Sequence, residues 1–466
     1  MTVTAPVFFD DWAYLTGNPL FAKPASAVLA AILGRGYFAA TGERTWQPLA
    51  NLLNWAMLGS PAAWRLTGIA LHAASALLLR GVTRRVTGSA AAGWSAAILF
   101  LLFPFSAEVV FFASWRGHEL AAVSALACLL FWLDGKPKAS AAALAVGLLG
   151  KESALVGPVL VVLHAAVFER AKLRARLSAL APHAAVAAVY LVWRFGVLQG
   201  PTAVEAVRYD PVSCLGWYLR ALALPWPSCL FRASSGTLPA ALAALAVYGA
   251  ALWAARRRPA VLFGLLWVPA ALLPALHLVK FAQYSPVGDR FLYLAAGGAA
   301  LAVSALLADT PARLALAVLM AFWGGALLKR NGAFRDVPQF AEDCELCAPT
   351  HPQAIAFSAQ MRLTAGEYSG ARARLEKAVA LAPRDPQFHD HLGLALYATG
   401  YKKEAVSQFR LAADGGPGAE PWNNLGAALA ATGRKAEAIA AYEEAVRRAP
   451  DWEKPAKSLA ELRSRK

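Results

Sequence analysis

Charge is scarce in this sequence, and negative charge is scarcer. Of 466 residues only 16% are charged while 58% are hydrophobic, and 29 acidic side chains face 45 lysines and arginines. An average soluble domain carries about a quarter charged residues, so this composition departs from that class. Cysteine is also rare, with five in the chain. Cys128 falls within an apolar run, whereas Cys214, Cys229, Cys344 and Cys347 fall in segments placed outside the membrane. Disulfides are therefore allowed, but the spacing dictates no pairing. The pair Cys344-x-x-Cys347 has His351 as its sole neighbouring ligand and lacks the second pair that zinc requires. It reads as a helix connector or a local disulfide. Basic patches interleaved with exposed aromatics are missing, so the net charge of +16 does not point to nucleic acid. Met1–Phe9 has neither a basic n-region nor an apolar h-region, so no signal peptide is expected. Phosphate-loop chemistry is excluded as well. Gly147-Leu-Leu-Gly150-Lys151-Glu152 has Ala145 where that loop needs glycine and Glu152 where it needs serine or threonine.

What the chain does have is apolar runs. They lie at about 62–82, 90–112, 119–133, 139–150, 153–169, 178–198, 237–255, 259–278, 289–308 and 312–328. Several fall short of the roughly 20 residues a crossing needs, so their ends extend into loops or the helices kink. Residues 214–231 are also apolar but are broken by Arg220, Pro225 and Pro227, which suggests an interfacial or re-entrant segment. Residues 1–60 mix Asp10-Asp11 and Asn18-Pro19 with short amphipathic stretches and read as an outer loop with interfacial helices. With Asp10 and Asp11 outside, ten crossings put Arg84/Arg85, Lys136/Lys138, Arg170–Arg176 and Arg256–Arg258 all on the cytoplasmic side. The even count returns the chain to the outside after Lys329. The expected fold class is therefore all-α: a polytopic membrane helical domain over 61–329, a linker over 330–350, and a helical repeat domain over 351–466. The expected location is the cytoplasmic (inner) membrane, with the repeat domain extracytoplasmic.

The repeat domain rests on arithmetic. Three helix-turn-helix units begin near Pro352, Pro386 and Ala419, at spacings of 34 and 33 residues. Gly366, Gly400 and Gly433 share a turn position. Ala371, Ala405 and Ala438 share a small position, Leu375, Phe409 and Tyr442 a large one, and Pro383, Pro417 and Pro450 the closing one. With Trp422-x-x-Leu425-Gly426 and Leu392-Gly393, this is the pattern of a tetratricopeptide-repeat (TPR) solenoid. Such arrays present a concave surface that takes a protein or peptide; the alternative is that the repeats only brace the membrane part.

Two groups of residues could carry chemistry. Asp10-Asp11 could supply a general base or bind a divalent ion, although an acidic turn with Asp11 capping a short helix accounts for the same residues. Charges also gather at the outer ends of apolar runs: Arg116, His118 and Glu119; Lys151 and Glu152; Arg194; and Asp289-Arg290. Charge inside a span costs about 2.5–3.5 kcal/mol on insertion scales, so such residues line a cavity, pair, or snorkel independently. A cationic pocket for a phosphate-bearing headgroup is the functional reading. His72, His164 and His277 sit on apolar runs and read as packing hydrogen-bonders.

In order along the chain come Phe9-Asp10-Asp11 with Asn18-Pro19, Trp46-Gln-Pro48-Leu-Ala-Asn51, Leu71-His72-Ala-Ala-Ser-Ala76, Phe103-Pro104-Phe105-Ser106-Ala-Glu108, Trp115-Arg116, Gly150-Lys151-Glu152-Ser153 and Asp289-Arg290-Phe-Leu-Tyr293, followed by the repeats. Taken together, the chain resembles the transmembrane and tetratricopeptide-repeat O-mannosyltransferases and their bacterial relatives, within the GT-C glycosyltransferase superfamily. The resemblance implies a polyprenyl-phosphate sugar donor, typically carrying mannose, and transfer to a protein hydroxyl outside the cytoplasm. It also implies that one of Asp10 and Asp11 takes the acceptor's proton. Arg116, Lys151, Arg194 and Arg290 are then candidates for the donor phosphate, Arg290 foremost, with Glu152 and His118 in support. In that family a span precedes the acidic pair, and the residues ahead of Asp10 hold none. Two rival readings are a non-catalytic membrane-anchored TPR scaffold and a transporter. The transporter lacks the paired broken helices at mid-membrane.

Overall fold

The structure is a computed structural model that describes residues 19–34, 46–198, 210–224, 232, 236–276, 287–308, 313–333, 336–416, 418–450 and 452–464. Among the described residues every regular element is a helix. The chain divides into two compact units, residues 1–230 with 234–335 and residues 231–233 with 336–466.

The first unit opens with α1 (Ala25–Leu33) and α2 (Pro48–Ala56). The long α3 (Pro61–Thr87) starts on a Ser60 cap and ends at Gly88, whose φ of 72° makes the left-handed turn that closes a helix without strain. Then follow α4 (Ala90–Leu102), α5 (Ser106–Phe111), α6 (Arg116–Leu133), α7 (Pro137–Gly150), α8 (Val156–Phe168), α9 (Leu173–Ser178) and α10 (Ala181–Leu191), which continues as one π-helical turn over Val192–Val197. The unit closes with α11 (Pro211–Ala223), α12 (Leu238–Ala255), α13 (Pro259–Leu272), α14 (Leu292–Leu307) and α15 (Arg313–Ala333).

Every apolar run of the sequence is helical in its described residues, with two differences from expectation. The run 90–112 is not one helix. Pro104 cannot donate to the ladder and pushes Phe103 into an extended conformation, so α4 stops and the short α5 sets off anew. The segment beginning at 214, expected to be interfacial or re-entrant, is not interfacial. Cys214, Trp217, Tyr218 and Leu222 form one face of α11, and that face is buried in the main core. By length and composition four helices can cross a membrane: Pro61–Thr87, Ala113–Leu133, Leu238–Ala255 and Asp289–Leu307. A fifth arises if the pair Glu152–Phe168 and Arg170–Ser178, bent by 120°, is one span. Close approach uses small residues: a Cβ at Gly264 would lie 2.7 Å from the Gly298 carbonyl oxygen, where α13 packs along α14.

In the second unit α16 (Val337–Cys347) occupies what reads as linker in the sequence. It forms because the Asp336 side chain caps the Gln339 N–H. Cys344 is a buried thiol on it, so Cys344 and Cys347 make no local disulfide. Three antiparallel pairs follow: α17 (Pro352–Thr364) with α18 (Tyr368–Leu381), α19 (Pro386–Ala398) with α20 (Lys402–Gly415), and α21 (Glu420–Ala431) with α22 (Lys435–Arg448); α23 (Glu453–Ser464) closes the array. Gly366, Gly400 and Gly433 each turn a pair at φ of 79–90°. The recurrent small and large positions meet in the core: Leu375, Phe409 and Tyr442 are buried among Ala371, Ala405 and Ala438.

Candidate functional site

The start of α6 organises the charged residues of the first unit. Because Pro104 ends α4, α5 brings Glu108 into the interior, where it is fully buried. A 3-10 turn, Asp289–Phe291, presents Asp289 and Arg290 beside it. The two oxygens of Glu108 are divided: Oε1 lies 3.6 Å from Arg290 Nη1 and Oε2 lies 3.3 Å from Arg330 Nη2. Arg330, in the last turn of α15, also donates from Nη1 to Asp289 Oδ2 at 3.0 Å. Arg290 is the open member of this network, a quarter exposed, with its guanidinium 5.1 Å from the Trp115 ring and 4.9 Å from the Phe291 ring.

Arg116 and Arg194, both expected to face a phosphate, are turned inward. Arg116 is 1% exposed and donates from Nη1 to Glu119 Oε2 and from Nη2 to the Trp64 carbonyl, each at 2.5 Å. Gly68 makes room for it, since a Cβ there would lie 2.6 Å from Arg116 Nη1. Arg194 is also buried and donates from Nε to Glu152 Oε1 at 2.9 Å. These two arginines tie helices together: α3 to α6, and the π-helical end of α10 to the corner after α7.

His118, Lys151 and Arg290 do come together. The His118 ring packs edge-on against Phe291 with centroids 5.6 Å apart, and the Arg290 guanidinium lies 4.9 Å from the same ring. Gly117 lets the Lys151 corner approach: a Cβ at Gly117 would lie 2.8 Å from the Gly150 carbonyl oxygen and 3.4 Å from Lys151 Cβ. One turn away from Lys151 and from Arg194 lies an apolar cavity of about 540 Å³, lined by Trp46, Leu148, Leu149, Val189, Tyr190 and Trp193 among others. Asp10 and Asp11, the expected base pair, lie outside the described residues, as does His277. His72 pairs through Nδ1 with the Tyr293 hydroxyl at 2.8 Å, the packing role its position suggests. No group of three metal-binding side chains occurs among the described residues. The roles of Glu108 and Arg330 appear only in the structure. A carboxylate and a guanidinium at the ends of apolar helices are the signal that was available.

In the second unit Asp390 is a buried acid. Asp390 of α19 accepts from Asn424 Nδ2 of α21 at 3.0 Å. Burial pushes its carboxyl up to about 6; the Asn424 hydrogen bond opposes this and the nearby Glu420 charge adds to it.

Comparison with known proteins supports the repeats. Residues 419–452 match the model of the tetratricopeptide repeat. The chain carries tetratricopeptide repeats on an all-helical framework. Residues 289–414 match the model of the bacterial transcriptional activator domain, a stretch that begins at Asp289 and ends in α20. Among solved structures, a chain from the crystal structure of the APC/C hetero-tetramer Cut9-Hcn1 is similar over 93% of this chain and 92% of its own, at 12% identity and a TM-score of 0.26. No curated protein matches the chain.

Proposed function

We propose that this TPR protein is an inverting membrane glycosyltransferase of the GT-C type. It takes a sugar, typically mannose, from a polyprenyl-phosphate donor and passes it to a protein hydroxyl on the extracytoplasmic side. The observation that carries this reading is the gathering of His118 and Arg290 on the Phe291 ring, with the Lys151 corner packed against Gly117; an apolar cavity is lined by Leu148 and Leu149 of the helix that leads into that corner. The apolar lining suits the first isoprene units of a prenyl chain, and the cations suit a phosphate. In the reaction the acceptor oxygen attacks the sugar's anomeric carbon as the bond from that carbon to the lipid-phosphate oxygen breaks. The leaving electron pair stays on the phosphate, where Arg290 and Lys151 stabilise it. The hydroxyl proton passes to a carboxylate, assigned to Asp10 or Asp11 by resemblance. The apolar helices cross the cytoplasmic membrane, with cationic loops inside and the repeats outside, where they engage an acceptor or partner protein.

The test is transfer of radiolabelled sugar from polyprenyl-phosphate mannose to a serine- and threonine-rich protein acceptor by the purified chain. Asp11→Asn is expected to lower the rate about 10²–10⁴-fold, the usual loss of a general base. Absence of transfer from any polyprenyl-phosphate donor sinks the reading. A non-catalytic TPR scaffold is the second reading, favoured by the tetratricopeptide-repeat match over residues 419–452. A scaffold keeps its phenotype in Asp11→Asn.

A further inference from the structure

Aromatic rings, more than acids, hold Arg290 in place. Among the described residues it makes no hydrogen bond, and its ion pair with Glu108 spans 3.6 Å, longer than a charge-assisted hydrogen bond. Its guanidinium carbon lies over two rings, 5.1 Å from the centre of Trp115 and 4.9 Å from that of Phe291. Each ring is itself braced. Trp115 ends the 3-10 turn Ala113–Trp115 and packs against Phe112 with centroids 4.4 Å apart. Phe291 ends the turn Asp289–Phe291 and takes the His118 ring edge-on. Gly288 leaves the guanidinium its room, since a Cβ there would lie 3.2 Å from Arg290 Nη1 and 3.3 Å from its Cζ.

A ring attracts a cation through its quadrupole and consumes none of the cation's N–H donors. A carboxylate does the opposite, taking the donors that an incoming phosphate would need. A guanidinium already fixed over rings also loses less rotamer freedom when an anion arrives. We infer that Trp115 is a positioning residue: by holding the Arg290 guanidinium over its ring, it keeps that side chain's N–H donors available to the phosphate of the lipid donor. This rests on the reading of Arg290 as a ligand of that phosphate, and Trp115 acts through Arg290.

The experiment compares dissociation constants of tritiated undecaprenyl phosphate and tritiated undecaprenol, which has the same chain without the phosphate. They are measured by scintillation proximity on the full chain in detergent, with thermal unfolding as a check on folding. Wild type is expected to bind the phosphate form more tightly. Trp115→Leu weakens binding of undecaprenyl phosphate about tenfold and leaves undecaprenol within about twofold. Trp115→Phe, which keeps an aromatic face, stays within about threefold of wild type for both lipids. In an Arg290→Gln background Trp115→Leu has no further effect, whereas a merely structural role would add its full loss there. Gly288→Ala crowds the guanidinium without altering Trp115, lowers affinity for undecaprenyl phosphate about threefold, and serves where Trp115→Leu does not fold. Unchanged phosphate affinity in folded Trp115→Leu or in Gly288→Ala, an equal loss of undecaprenol, or a full loss in the Arg290→Gln background each overturns the positioning role and leaves the donor reading standing. A wild type that binds the two lipids alike removes the donor reading, and the positioning role with it.

Discussion

Replacing Asp390 with asparagine should stabilise the repeat unit at neutral pH, and by an amount that disappears in acid. The side chain is 9% exposed, and its carboxyl titrates near 6 instead of the usual 3.8 because burial disfavours the anion. Well below pH 3.8 the group is neutral in both the folded and unfolded chain and contributes nothing. Between 4 and 6 the folded chain holds a proton that the unfolded chain has released, so stability declines as pH rises through this window. Above 6 the decline is complete and corresponds to about 3 kcal/mol. Asparagine keeps the oxygen that accepts from Asn424 Nδ2 and cannot ionise. The assay is hydrogen exchange of peptides from α19 and α21 in the full chain, corrected for intrinsic rates. At pH 7.5 the variant's slowest amides should exchange about 100-fold more slowly than wild type, the change that this free energy implies. At pH 4 the gap should shrink to within about threefold. A variant less protected at pH 7.5, or an equal gap at both pH values, refutes the reasoning.

Gly68→Ala puts a Cβ 2.6 Å from Arg116 Nη1 and 2.7 Å from the Val110 carbonyl oxygen, and should cost about 1–3 kcal/mol, read as a lower Tm in detergent. Gly393→Ala meets the Phe409 ring at 2.6 Å and should cost a similar amount, about 1–3 kcal/mol, read as lost protection in α19 and α20. Val189→Trp fills the apolar cavity from an exposed position. It should weaken undecaprenyl-phosphate binding about tenfold while leaving Tm unchanged, measured by tryptophan quenching or scintillation proximity.

The helices were legible because apolar runs of this length have few other solutions, and the repeats because one side-chain pattern recurs at 34 and 33 residues. The break at Pro104 could have been read from the residue itself, yet the surrounding run of phenylalanines masked it. The inward turn of Arg116 also had a local sign: Glu119 stands three residues on, on the same helical face. The network around Glu108 had none. Its partners lie 182 and 222 positions along the chain, and a sequence without alignment gives no measure of which distant acid meets which distant base. Burial of α11 was hidden for the same reason, since an amphipathic face declares that it seeks a partner but not whether that partner is lipid or protein.

The closing helix α23 limits what the array can become. It packs on α22, burying Pro455 and adding Leu462 to the repeat core, while Lys454, Lys457, Glu461 and Arg463 line its outward side. Solenoids grow by offering a greasy end to the next unit, and this terminus offers a hydrophilic one instead. A neighbour stacked on the outward side of α23 would have to bury those charges, which disfavours that side as a docking face.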